Sequence, residues 1–291
     1  MSVPIPSTRV KFNTNLEALR GFAAFTVVLG HTLAITESRD IDPVYQPSGL
    51  FHFAAPGHLS VLLFFILSGY VIGLNNKEPL TKQTIWPYLQ KRLFRLYPIY
   101  LISLLFAFVL AKYLTVGMVL ANLTLSQILL APVVATNGPL WSIHYEMLFY
   151  LLFIPLSLLR FHPLKVCATC VAVGLANLVL FPWLQTALLT SYCFGFAFWS
   201  LGLWLATFRE NERSEATNTQ LLSAFLLFFT LERTNQLHTV ITKLLNLIPN
   251  SVTLRFPETV DWSKRAIELL DFSFLPYCVF ALLRFCYSYL C

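Results

Sequence analysis

Long apolar runs recur along this chain, separated by short polar segments that hold most of its charge. Read as membrane-length helices, the runs fall at 16–36, 59–75, 96–115, 139–159, 164–182, 185–208, 219–232, 236–249 and 270–291. The seventh and eighth are short and fit half-spans or a re-entrant pair. The stretch 116–134 is apolar as well and reads as an interfacial or short membrane helix. Because the runs are continuous rather than alternating, they predict helices and disfavour a transmembrane barrel. The expected architecture is all-α: a polytopic transmembrane bundle of about eight to nine spans, forming a single domain over residues 1–291.

Composition agrees with that pattern. Hydrophobic residues make up 57% of the 291 positions and charged residues only 12%, against about 25% charged in ordinary soluble domains. A chain of this balance cannot bury its apolar surface in one soluble core. Pro98, Pro139, Pro163, Pro182 and Pro249 fall near expected span ends, where a missing N–H is best tolerated. The formal net charge of +6 signals membrane orientation rather than nucleic acid. Lys77, Lys82, Lys91, Arg92 and Arg95 share one loop, and Arg160, Lys165, Arg209 and Arg213 fall on the same side by span count. The positive-inside rule makes that side cytoplasmic and predicts a cytoplasmic N-terminus. The first run lacks a small-residue cleavage site, so it reads as a span rather than a signal peptide. Cys167 and Cys170 have zinc-like spacing but no companion ligands, and read as buried thiols; no metal site is expected.

The first run carries the most specific chemistry. Arg20 and His31 stand eleven positions apart within it. Eleven steps of about 100° bring both side chains to one helix face, roughly 16 Å apart along the axis. Ionisable residues inside a membrane helix are costly and mark function by default. By the same span count, His31, Ser68, Ser142 and Glu146 fall in the outer half of the bilayer. Arg20 lies toward the cytoplasmic side with Arg92 and Arg95. His144 sits inside the same polar layer but is assigned no role.

Four stretches occur in a recognisable order. They are Leu19-Arg-Gly-Phe-Ala-Ala-Phe-Thr-Val-Val-Leu-Gly-His31, Phe64-Phe-Ile-Leu-Ser-Gly-Tyr70, Arg92-Leu-Phe-Arg-Leu-Tyr-Pro98 and Trp141-Ser-Ile-His-Tyr-Glu-Met-Leu-Phe-Tyr150. Together they resemble the signature of the acyltransferase-3 family of membrane O-acyltransferases, over roughly residues 13–155. Beyond that point the similarity is only of hydrophobic helices. Family members usually carry more spans and a late Ser-Tyr…His segment that has no counterpart here, so the chain reads as a shortened member or a fragment.

The resemblance implies an integral membrane enzyme, multi-pass and at home in a bacterial inner membrane. Its donor would be acyl-CoA, with acetyl-CoA the expected form. Its acceptor would be a hydroxyl on an envelope glycan or lipid-linked molecule. His31 would act as general base, taking the proton of the attacking hydroxyl. Glu146 would hold the imidazole's tautomer and Arg20 would balance charge or bind donor. Arg92 and Arg95 suit phosphate oxygens, Ser68 a hydrogen bond near the thioester, and Trp141, Ser142 and Tyr150 the substrate. Singly these residues have plainer readings: snorkelling for Arg20, orientation charge for Arg92 and Arg95, close helix packing for Ser68-Gly69. A transporter or flippase that uses Arg20, His31 and Glu146 as a polar path is the competing function.

Overall fold

The computed structural model of the protein describes residues 14–36, 57–180 and 187–207. The expected spans at 219–232, 236–249 and 270–291 lie outside the described residues. All regular elements within them are helical, in the order α1 (Thr14–Thr36), α2 (Gly57–Asn75), α3 (Lys82–Leu110), α4 (Val116–Leu123), a 3-10 helix (Ala135–Leu140), α5 (Trp141–Leu158), α6 (Pro163–Leu180) and α7 (Ala187–Leu205).

Most helices begin and end within a few residues of the apolar runs. The exception is α3. It starts at Lys82, well before the apolar stretch, and runs through both Pro87 and Pro98. Thr81 explains the early start, since its backbone N–H donates to Thr84 Oγ1 at 2.8 Å, one half of a capping box that satisfies orphan donors of the first turn. Pro98 therefore lies inside a helix and not at its end. In the 116–134 stretch only eight residues are helical, and irregular turns follow. Among the described residues, two helical stretches, Lys82–Leu110 and Ala135–Leu158, are long and apolar enough to cross a membrane. The outer face of α3 carries Phe94, Ile99, Phe106 and Val109, all more than two-thirds exposed, as suits a helix that faces acyl chains.

Helix directions follow from the contacts. Phe65 of α2 meets Phe149 of α5 at 5.1 Å between ring centres, and Leu80 just past α2 donates to Ser157 at 2.8 Å, so α2 and α5 run parallel. Tyr145, Phe149 and Phe153 of α5 meet Tyr192, Phe196 and Trp199 of α7 in that order, so α7 is parallel to both. Against them run α6, through Asn177 Nδ2 donating to Thr190 Oγ1 at 2.9 Å, and α3, through Asn137 Nδ2 donating to Ser103 Oγ at 2.7 Å. From α2 to α7 the long helices thus alternate in direction.

The main core lies among α2, α5 and α7, with Phe149, Ile66 and Trp199 fully buried. Its tightest seam is α2 on α7. A Cβ placed on Gly69 would overlap the Trp199 carbonyl, and one on Gly202 would overlap the Ile66 carbonyl. Two backbones this close can be joined only by glycine. Small residues of this kind let membrane helices associate where no hydrophobic driving force exists.

Candidate active site

Ser68 is placed by its neighbour. The Gly69 seam brings α7 against α2, and Trp199 Nε1 donates to Ser68 Oγ at 3.4 Å. On the opposite side Ser68 Oγ donates to Glu146 Oε1 at 3.0 Å and stands 3.0 Å from the Tyr150 hydroxyl. Tyr150 also donates to Glu146 Oε1 in a short hydrogen bond. Glu146 and Tyr150 are one turn apart on α5, so both reach the same serine. A half-buried carboxylate thus accepts two hydroxyl donors on a single oxygen. No described residue bonds its Oε2. Charge-assisted bonds of this kind are what a partly buried carboxylate needs to stay in place.

The cluster continues toward the end of the bundle where α2 stops and α3 begins. Arg92 lies with its guanidinium carbon 6.0 Å from the Tyr150 ring centre and 5.7 Å from that of Tyr88, within range of cation–π attraction. Tyr88 in turn donates to the Tyr150 carbonyl at 3.2 Å. Arg92 Nε is buried and has no hydrogen-bond partner among the described residues. A cleft of about 400 Å³ opens there, lined by Asn75, Asn76, Thr84, Tyr88, Lys91 and Arg92 among others. Tyr150 therefore joins two features: its hydroxyl belongs to the carboxylate cluster and its ring meets the arginine of a cationic cleft.

Other sequence candidates stand apart from this cluster. Arg20 pairs with Glu17 at 3.4 Å, one turn back on its own helix. Arg95 is the exception: it is exposed on α3, yet its charge lies close enough to act on the Tyr150 hydroxyl. Ser142 donates to the Pro139 carbonyl at 3.0 Å, closing the turn that starts α5. Trp141 packs edge-on against Tyr145 at 5.4 Å. The side chain of His31 lies outside the described residues, although its position is helical.

The Thr26 and Ser60 hydroxyls meet at 2.5 Å and join α1 to α2. Glu146 is held by Ser68 and Tyr150; its expected partner, the His31 imidazole, lies outside the described residues. Sequence reasoning also missed Trp199, which closes the cluster. Its only signal is Gly202 three residues on.

The similarity to known proteins agrees with the motif order. The acyltransferase-3 family pattern, described as an acyltransferase domain, matches residues 13–237, and the chain belongs to that family. It is also similar to acyltransferase MdmB of Streptomyces mycarofaciens, with 29% identity over 180 residues. The aligned stretch is 57% of this chain and 44% of that protein, so the chain spans less than half the length of this curated relative. No solved structure matches the chain.

Proposed function

We propose that this chain is a multi-pass membrane O-acyltransferase. It moves an acyl group, acetyl in the simplest form, from cytoplasmic acyl-CoA to a hydroxyl of a cell-envelope carbohydrate or similar acceptor. The observation that supports this best is the continuous line from the Arg92 cleft through Tyr150 to Glu146 and Ser68. In this reading the N-terminus and the cleft face the cytoplasm. The donor's phosphates meet Arg92, with Lys91 beside it and Arg95 one turn on; guanidinium forks match phosphate oxygens. The donor's narrow amide-bearing arm then runs up the bundle, where Tyr150, Glu146 and Ser68 offer hydrogen bonds to its amides. Trp141 and Ser142, at the far end of α5, lie on the acceptor side.

In the chemical step the acceptor hydroxyl attacks the thioester carbonyl while His31 takes its proton. The tetrahedral intermediate collapses, the C–S bond breaks, and the thiolate of CoA takes the proton back from the imidazolium. Arg20, paired with Glu17, balances charge along the donor path. No metal enters this scheme.

Two outcomes check the donor side. Arg92→Ala combined with Arg95→Ala should weaken acetyl-CoA binding by about 10- to 100-fold, the loss expected of charged hydrogen bonds. Calorimetry on protein in nanodiscs reads it; unchanged affinity would reduce both arginines to orientation charge. Tyr150→Phe keeps the ring against Arg92 and removes the hydroxyl. It should slow transfer about tenfold, with acetyl-CoA binding held within a factor of about two.

A further inference from the structure

His144 is a buried ionisable side chain outside the mechanism above. It is 3% exposed and projects from α5 about 200° around from Glu146, away from the donor path. Its Nδ1 lies 2.6 Å from the Leu125 carbonyl oxygen. A carbonyl only accepts, so Nδ1 carries the proton. Nε2 is then a bare lone pair, and it accepts the Tyr192 hydroxyl at 2.8 Å. One imidazole therefore ties three elements together: α5, α7 and the irregular segment after α4.

That segment is the most strained backbone described. Leu125 has φ 57° and Ile128 φ 74°, a left-handed conformation that costs a side-chain-bearing residue about 1–2 kcal/mol. Strain of this order persists only where surrounding contacts over-determine it. The contacts are present. Gln127 Nε2 donates to the Leu140 carbonyl at 3.3 Å, and Asn122 Nδ2 donates to the Pro132 carbonyl at 3.1 Å. The result is a rigid turn whose apex exposes Leu129 and Leu130, 54% and 78% accessible. His144 is thirteen residues, about 20 Å, along α5 from Ser157 at the cleft end.

We propose that His144 is a latch: its Nδ1–H···O=C bond to Leu125 holds the 124–134 turn in its strained form, and that turn positions the acceptor at the end of the bundle opposite the donor cleft. The acceptor role rests on the acyltransferase reading; the latch itself does not. His144 is a positioning residue, separated from the reacting atoms by the turn it holds.

Two substitutions divide its bonds. His144→Asn places an amide N–H near the position of Nδ1 and keeps the Leu125 bond. His144→Gln places an amide oxygen near Nε2 and keeps the bond from Tyr192. Hydrogen exchange of the 126–131 amides in nanodiscs should quicken about tenfold or more in His144→Gln and stay near the native rate in His144→Asn. With radiolabelled acetyl-CoA and a titrated extract of lipid-linked envelope glycan, the half-saturating glycan should rise about tenfold in His144→Gln alone, KM for acetyl-CoA and the melting temperature being unchanged. Unaltered exchange in His144→Gln would overturn the latch. Faster exchange with unaltered glycan dependence would overturn the acceptor role. A native protein that shows protected amides yet transfers no acetyl group would sink the acyltransferase reading and leave the latch standing.

Discussion

The His31→Ala protein is expected to insert into membranes and bind acetyl-CoA as well as the native chain does, yet transfer acetyl about 10²–10⁴-fold more slowly, the contribution of a positioned general base. The expectation rests on the cost of placing a histidine in the first helix and on its eleven-residue spacing from Arg20. Scintillation counting of acceptor labelled from radioactive acetyl-CoA reads the rate, and calorimetry reads donor affinity. The two quantities should separate cleanly. If both fall together, His31 supports the helix bundle; if neither moves, the base lies elsewhere. Because Glu146 bonds Ser68 and Tyr150, a Glu146→Gln variant should differ in kind. It disturbs Ser68 and Tyr150, so donor KM should rise along with any loss of turnover.

Leucine at Gly202 should prevent the bundle from assembling. The new side chain would have to occupy the volume of the Ile66 carbonyl, with the Tyr70 amide nitrogen 2.8 Å away. Backbone, unlike the tip of a flexible side chain, cannot swing aside. The two helices must part. Overpacking of ordinary cores costs about 1–3 kcal/mol, and here the seam also carries the active cluster, since Trp199 reaches Ser68 from α7 only while the helices touch. Gly202→Ala is the graded version: the chain should still insert, melt at a lower temperature and lose the Trp199–Ser68 bond. Size-exclusion profiles in detergent and thermal melts separate these outcomes. A Gly202→Leu protein that elutes and melts like the native chain would show that the seam is looser than described.

The same seam shows what a sequence can and cannot disclose. Ser68-Gly69 invites two readings, close packing or chemistry, and the structure joins them: the glycine admits the helix whose tryptophan bonds the serine. Helix positions were legible because apolar runs of membrane length have few alternatives. The start of α3 was not, since its first turns are mixed in polarity and only the Thr81–Thr84 cap marks them. The meeting of Ser68, Glu146 and Tyr150 joins positions 78 and 82 residues apart. Spacing alone conveys nothing about such a contact; the ordered family motifs singled out the three residues without joining them, since they assigned Glu146 to His31. His144 was overlooked because the motif does not include it. The argument that singled out His31, the cost of an ionisable group at membrane depth, applies to it equally.

One reconstitution tests both acyl-CoA as the donor and acyl transfer as the chemistry. The most direct measurement reconstitutes the whole chain in liposomes with lipid-linked glycan, adds radiolabelled acetyl-CoA and an external pH dye, and follows label and protons together. Acyl transfer predicts acetylated glycan by mass spectrometry, label loss with His31→Ala, and no proton flux coupled to substrate. Proton-coupled uptake by protein that neither binds acetyl-CoA nor labels glycan would contradict it and establish the polar path as a transport route.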